Sequence, residues 1–214
     1  MVAHLEATSG RKTDHGSLEQ YSPVAAEDQP TRRMTTRVLA LSGPIASGKT
    51  ALAELVATRL GYNHIRIRDL LQRGFRPSEG EATRSNLQDF GAALESQTAG
   101  RWLADQISQL TNNNVAQGIV VDSVRTVAQI RRLRETFGPK FIHLHLTAVQ
   151  RILEDRFESR RGNSTKEAST FLAAMSHTIE KEEAQLLTLA DKVIDTSTLD
   201  TESVYQAAVS SMGI

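Results

Sequence analysis

The chain has 214 residues, of which 39% are hydrophobic, and its 25 basic and 25 acidic residues give a formal net charge of zero. This length and composition suit one folded domain with a sizeable core. The balanced charge argues against nucleic acid or an anionic membrane as a partner. The chain has no cysteine, which excludes disulfides and thiolate metal sites. It also lacks an apolar run long enough to cross a bilayer, so we expect a cytoplasmic protein without membrane contact.

The first 35 residues differ in composition from the rest of the chain. They mix polar and charged residues with Pro23 and Pro30 and contain no sustained apolar period. Such a composition predicts a disordered N-terminal arm over residues 1–35 and a folded domain over 36–214. The arm could mediate a homodimer or bind an accessory partner.

After Arg37, short apolar runs alternate with helical patterns, which predicts an α/β domain with a parallel sheet and helices on both faces. The predicted strands cover about 37–42, 63–67, 118–122, 140–146 and 192–195. The predicted helices cover about 48–60, 84–97, 99–112, 126–137, 148–161, 166–189 and 199–211. Ligands of such sheets bind at the carboxyl ends of the strands. We therefore look for functional residues where the strands end.

The strongest motif follows the first predicted strand and consists of Gly43, Pro44, Ile45, Ala46, Ser47, Gly48, Lys49 and Thr50. It matches the phosphate-loop pattern G-x-x-x-x-G-K-[ST], between a strand and a helix as the mechanism requires. The loop's backbone N–H groups and the helix N-terminus favour a bound triphosphate. Lys49 is predicted to reach the β- and γ-phosphates and Thr50 to hold Mg²⁺. ATP and Mg²⁺ are therefore the predicted cofactors.

The third predicted strand ends in Asp122, and Arg125 follows three residues later. A carboxylate at this position can hold Mg²⁺ directly or through a water molecule. A guanidinium close to the strand tip can meet a second phosphate in a bidentate manner. Ser123 stands where hydrolytic ATPases usually carry glutamate, which favours transfer to a bound acceptor over hydrolysis.

A family resemblance rests on residues 118–129, which read G-I-V-V-D-S-V-R-T-V-A-Q. This segment resembles the adenylate kinase pattern G-[FIV]-x-[LVI]-D-G-F-P-R-T-x-x-Q, shortened by one residue. Ser123 and Val124 replace Gly-Phe-Pro, as in the shorter form of dephospho-CoA kinase-like proteins. Over nearly all of 37–197 the chain is thus similar to the nucleoside monophosphate kinase-like group of P-loop kinases. The resemblance implies a P-loop fold with a five-stranded parallel sheet, a small lid and an acceptor-binding arm.

The same resemblance implies roles for two further regions of the chain. The acceptor-binding arm would cover about 69–112 and begin at Asp69, with Arg125 orienting the acceptor. The lid would cover about 156–168. Arg156 and Arg160 lie four residues apart and so share a helix face; with Arg161, they would close over the phosphates and neutralise the charge of the transferring phosphoryl group.

Together these features predict a kinase that moves the γ-phosphoryl group of ATP to a nucleotide-like acceptor, first of all a nucleoside or deoxynucleoside monophosphate. A dephospho-CoA or nucleoside kinase is the enzymatic alternative, in which Asp69 acts as the base for a hydroxyl acceptor. A nucleotide-binding regulatory or accessory module with weak or no turnover is the alternative of another class. It is suggested by the polar arm and by Gln72, which stands where the family usually has arginine.

Two histidines alternate along the fourth predicted strand and so face the same side of the sheet. They are His143 and His145, and nothing else with metal-ligand spacing accompanies them. We interpret them as packing residues and not as metal ligands.

Overall fold

The computed structural model describes residues 36–76, 83–112, 116–161, 171 and 182–214, and only the backbone of Arg84, Asn112 and Arg161. All of these residues belong to one compact unit of the chain. The predicted N-terminal arm lies outside the described residues. So does the part of the predicted lid that follows Arg161, and both assignments stay predictions.

Five strands form one sheet in which every pair of neighbours is parallel. They are β1 (Arg37–Ser42), β2 (Tyr62–Arg66), β3 (Gly118–Asp122), β4 (Phe141–Thr147) and β5 (Lys192–Asp195). The strand order is β2-β3-β1-β4-β5. The predicted five-stranded parallel sheet is confirmed, with strand ends within one residue of those expected.

Helices connect the strands as crossover elements. They are α1 (Lys49–Leu60), α2 (Ile67–Gly74), α3 (Arg84–Thr98), α4 (Arg101–Asn112), α5 (Val127–Phe137), α6 (Gln150–Arg161), α7 (Glu183–Leu189) and α8 (Thr201–Ser211). The list of predicted helices did not contain α2. The predicted helix over 166–189 lies mostly outside the described residues, and its final part is α7.

The sheet is apolar on both faces because helices cover both of them. Side chains alternate along β1, so Leu39 and Leu41 pack with α1 and α8 on one face. Val38 and Ala40 pack with α4, α5 and α7 on the other face. Burial on both faces of the sheet explains why the inner strands β1, β3 and β4 are nearly continuous hydrophobic runs in the sequence. Among the described helices, none is both long and apolar enough to cross a membrane.

The carboxyl ends of the two central strands lie side by side. Leu41 of β1 is the register partner of Asp122 of β3, and the Val124 amide donates a hydrogen bond to the Leu41 carbonyl at 2.8 Å. The chain therefore delivers the phosphate loop and Asp122 to one point at the edge of the sheet.

Candidate functional site

The phosphate loop joins β1 to α1 and runs directly against β4. Gly43 has a φ of 132°, and a Cβ atom at this position would overlap the carbonyl oxygen of Leu146. Only glycine combines this backbone conformation with so close an approach. Gly48, also with positive φ, precedes the first residue of α1, so the helix N-terminus opens where the motif predicts it.

The side chain of Lys49 folds back across the phosphate loop. Its Nζ donates hydrogen bonds to the carbonyl oxygens of Gly43 at 2.8 Å and Pro44 at 2.6 Å, and to the Ser47 hydroxyl at 3.3 Å. The ammonium is thereby held at the mouth of the loop and the N-terminus of α1. Both features place positive charge where a polyphosphate would bind.

Asp122 is the acidic side chain next to this loop. It is 8% exposed, and Nε2 of His64 lies 3.3 Å from its Oδ2. Burial by itself would raise the pKa of Asp122. Hydrogen bonds from His64 and Thr50 and the charges of His64 and Lys49 outweigh burial and hold this pKa below its ordinary value. The side chain is therefore a carboxylate at neutral pH.

The donor set at this point fits Mg²⁺. A hydroxyl from Thr50 and a carboxylate from Asp122 are hard oxygen donors, and Mg²⁺ is bound in proteins by one or two such groups together with substrate phosphates. The side chains of Thr50 and Asp122 are in contact, and the hydrogen bond from Thr50 lowers the pKa of Asp122. Thr50 is exposed, so its hydroxyl can also reach a bound ligand.

His64 is a residue of this site that the motifs do not indicate. It lies on β2, 58 residues before Asp122 in the chain. In the sheet, His64 is the register partner of Val120 and Arg66 that of Asp122, so the imidazole is close enough to contact the carboxylate diagonally across the two strands. The available signal in the sequence was the histidine itself, a polar residue between Tyr62 and Arg66 on a strand that is partly buried.

Arg125 follows β3 on the loop that leads to α5, and its side chain is exposed. Its backbone N–H donates to Oε1 of Gln129 at 3.2 Å. The Thr126 hydroxyl caps α5 by accepting a hydrogen bond from the backbone N–H of Gln129. The conformation of the backbone beside Arg125 is thus fixed by the first turn of the next helix.

Asp69 lies in the first turn of α2, and its side chain is exposed. Its backbone carbonyl accepts a hydrogen bond from Nε of Arg73 at 3.2 Å. A carboxylate in a helical first turn is also favoured by the helix dipole, without any role in catalysis. Its function as a base stays a prediction.

The predicted lid arginines differ in their surroundings. Arg156 donates to the Thr196 hydroxyl at 2.9 Å and to the Thr196 carbonyl at 2.7 Å. The single proton of the Thr196 hydroxyl is shared between the carbonyls of Ser47 at 3.2 Å and Thr147 at 3.1 Å, so Thr196 lies between Arg156 and the phosphate loop. Arg160 is exposed on the same helix, and the Arg161 side chain lies outside the described part of the structure.

A buried polar cluster lies under the phosphate loop. The Ser42 hydroxyl is 2.6 Å from Nε2 of His143 and 2.9 Å from Nδ1 of His145, and all three residues are fully buried. Within the described residues, no group makes a hydrogen bond with Nε2 of His145. Burial lowers the pKa of both imidazoles to about 4, so they are neutral at pH 7. The two histidines do share one face of the sheet, as predicted.

This cluster makes the stability of the protein depend on pH. Each histidine has a pKa near 6.5 when unfolded and about 4 when folded. Between these values the unfolded chain binds more protons, so the free energy of unfolding falls as the pH drops from 7 to 5. We expect a loss of about 1 to 2 kcal/mol for each histidine. Urea denaturation at pH 7 and pH 5 should show a smaller loss of unfolding free energy in the double variant His143→Gln/His145→Gln than in the wild type. Equal losses in the two proteins would contradict the lowered pKa values of these histidines.

Comparison with protein families gives one match. Residues 39–188 match the model of a family described as AAA domain. Among the curated proteins, none matches the chain.

Solved structures with a similar fold include several small-molecule kinases. Shikimate kinase from Acinetobacter baumannii in complex with shikimate is 14% identical, with a TM-score of 0.53 over 82% of this chain and 92% of that one. Shikimate kinase from Bacteroides thetaiotaomicron is 15% identical, with a TM-score of 0.52 over 84% and 99%. A gluconokinase from Sinorhizobium meliloti 1021 is 18% identical, with a TM-score of 0.49 over 85% and 94%. At these identities the likeness concerns the fold and not the acceptor.

Proposed function

Since the chain belongs to the AAA domain family, we propose that it is a P-loop kinase that transfers the γ-phosphoryl group of ATP to a small nucleotide-like acceptor. The acceptor that we propose first is a nucleoside or deoxynucleoside monophosphate. The observation that carries this proposal is the meeting of the phosphate loop, Lys49, Thr50 and Asp122 at the adjoining ends of β1 and β3.

On the donor side, the loop amides and Lys49 would bind the β- and γ-phosphates of ATP. Nζ of Lys49 would exchange its hydrogen bonds to the Gly43 and Pro44 carbonyls for bonds to phosphate oxygens. Thr50 and Asp122 would hold Mg²⁺, which supplies charge neutralisation between the β- and γ-phosphates when it is bound. Little covalent chemistry is left for the protein, and its contribution is positioning and electrostatic stabilisation.

On the acceptor side, Arg125 would orient the phosphate of a monophosphate, because its exposed side chain follows the strand that carries Asp122. A phosphate acceptor is already anionic at pH 7 and needs no base. Arg160 and Arg161 would neutralise developing charge on the transferring group. Arg156 would contribute to the same end of the site through Thr196 and the phosphate loop.

A second candidate is transfer to a hydroxyl, as in a dephospho-CoA or nucleoside kinase. The observation in its favour is that the Asp69 carboxylate is exposed in the first turn of α2, where it is available to accept a hydroxyl proton. The two candidates differ in their response to Asp69→Asn. Transfer to a hydroxyl should fail in this variant, and transfer to a monophosphate should continue.

The test is ADP formation from Mg-ATP with a panel of acceptors. The panel holds ribo- and deoxynucleoside monophosphates, nucleosides, dephospho-CoA and shikimate, the ligand of one structural relative. We expect turnover that depends on one class of monophosphate and disappears in Lys49→Ala. Turnover with a hydroxyl acceptor alone would replace the first candidate by the second. Tight ATP binding with no acceptor-dependent turnover would identify a regulatory or accessory module instead. A cytoplasmic location and a partner for residues 1–35 stay predictions.

A further inference from the structure

Glu95 of α3 accepts hydrogen bonds from three side chains on other elements. Its Oε1 accepts from the Thr126 hydroxyl at 2.6 Å, and its Oε2 accepts from Nε1 of Trp102 and Nε2 of Gln129, both at 3.0 Å. Trp102 and Gln129 are buried, with 2% and 5% exposure. We call Glu95, Trp102, Thr126 and Gln129 the Glu95 cluster. It joins α3 and α4 of the acceptor-binding arm to the start of α5.

The cluster continues to Arg125 through the Gln129 side chain. Nε2 of Gln129 is bound by Glu95, and its Oε1 accepts the backbone N–H of Arg125. Both ends of this amide are thus engaged, which fixes its orientation. The position of the Arg125 backbone therefore depends on Glu95 through one side chain.

The turn between α3 and α4 packs against the same segment. A Cβ atom at Gly100 would lie 2.6 Å from the backbone carbon of Ala128 and 2.8 Å from the Gln129 nitrogen. Gly100 also has a φ of 79°, so the turn has the residue that this close approach requires. Backbone packing and the Glu95 cluster hold the same two elements together, and the cluster also reaches the Arg125 backbone through Gln129.

A carboxylate suits the centre of this cluster better than any neutral side chain. Its two oxygens accept all three donors, whereas an amide has a single acceptor oxygen. In Glu95→Gln the new NH₂ group faces either Thr126 or the pair Trp102 and Gln129. The first arrangement keeps Trp102 and Gln129 on the remaining oxygen and lets the Thr126 hydroxyl accept instead of donate, so the informative variant is Glu95→Met, which removes both oxygens and leaves all three donors without this acceptor.

We propose that Glu95 is a positioning residue for the acceptor site: it sets the place of Arg125 by way of Gln129 and ties that place to the acceptor-binding arm. This proposal rests on the proposed function, in which Arg125 orients the acceptor phosphate. Glu95 itself does not touch the reacting atoms. We expect Glu95 to affect the binding of the acceptor and not the binding of ATP. The cluster lies among α3, α4 and α5, and the phosphate loop is held by contacts of its own.

The first test needs no substrate and follows hydrogen exchange of the Arg125 amide in the full chain. We expect this amide to exchange at least about tenfold faster in Glu95→Met, because Nε2 of Gln129 loses its acceptor and the Gln129 amide its fixed orientation. Gln129→Met, close in size and without the amide, should have the same effect and covers the case in which Glu95→Met fails to fold. Asp89→Asn is the matched control, since it removes an exposed acidic charge from the same helix. An unchanged Arg125 amide in Gln129→Met, or in a folded Glu95→Met, overturns the proposal.

The second test is kinetic and uses the monophosphate that the wild-type protein phosphorylates fastest. We expect Glu95→Met and Gln129→Met to raise the KM for that acceptor about tenfold, with the KM for Mg-ATP within about twofold of wild type. The fluorescence of Trp102, the single tryptophan of the chain, reports that the cluster has changed. Faster exchange at Arg125 with an unchanged acceptor KM also overturns the proposal. A wild-type protein that phosphorylates nothing contradicts the proposed function, and the exchange rate still decides whether Glu95 holds Arg125.

Discussion

Replacing Lys49 with alanine is expected to lower kcat/KM for phosphoryl transfer by about a thousandfold or more. The variant loses the ammonium that lies across the mouth of the phosphate loop. The remaining donors of the loop are its backbone amides and the hydroxyls of Ser47 and Thr50, and none of them carries the positive charge of the lysine. The measurement is the steady-state rate with the best acceptor of the panel.

The effect should be catalytic and not structural. Lys49 is part-buried and its partners are carbonyl oxygens of a surface loop, so its removal should change the free energy of unfolding by no more than about 1 kcal/mol. Lys192→Ala is the control, since Lys192 is an exposed lysine on the edge strand β5. If Lys49→Ala kept most of its activity, the proposed role of the phosphate loop in phosphoryl transfer would be contradicted.

Replacing Asp122 with asparagine is expected to lower kcat by about a hundredfold to a thousandfold. Asparagine has the same shape but carries no charge, so the proposed Mg²⁺ site would lose the negative charge of one of its two protein ligands. His64 and Thr50 also lose the carboxylate that they contact. The side chain is buried and the strand is central, so an isosteric change is preferable to alanine.

A binding experiment separates the metal from the nucleotide. Affinity for ATP measured with EDTA should be similar in wild type and Asp122→Asn, whereas the gain in affinity on adding Mg²⁺ should shrink in the variant. Asp105→Asn, which removes an exposed acidic charge from α4, should behave like wild type in both conditions. A full Mg²⁺ effect in Asp122→Asn would show that another group holds the metal.

The parts of the fold that sequence predicts well are those determined by local patterns. The inner strands β1, β3 and β4 are short apolar runs bounded by turns or by polar residues and are almost entirely buried, whereas the edge strands β2 and β5 are partly exposed. The phosphate loop follows from a motif whose glycines have a steric reason, as Gly43 and the Leu146 carbonyl illustrate. These features need no knowledge of distant contacts.

Helix α2 was missed for a local reason. β2 passes into it at Arg66 without any glycine or proline between the two elements, so nothing marks the change from strand to helix. The helix is also only eight residues long. The family resemblance placed the start of the acceptor-binding arm at Asp69, within this helix, but did not give the bounds of the helix.

The contacts that connect the site could not be predicted because their partners are distant along the chain. His64 and Asp122 are 58 residues apart, Glu95 and Thr126 are 31 apart, and Arg156 and Thr196 are 40 apart. Each contact depends on how the strands and helices are arranged in space. The motifs predicted Asp122 and Arg156 as site residues, and the structure adds the groups that hold them.

The most direct test of the proposed transfer is to follow the γ-phosphoryl group itself. The full chain is incubated with Mg²⁺, ATP labelled in the γ-phosphate and the acceptor panel, with Lys49→Ala as the blank, and the labelled products are separated. The proposed function predicts label in an organic phosphate formed from the acceptor, with ADP in equal amount and no label transferred by the variant. Label that appears only in inorganic phosphate would identify a hydrolase and contradict the proposed function.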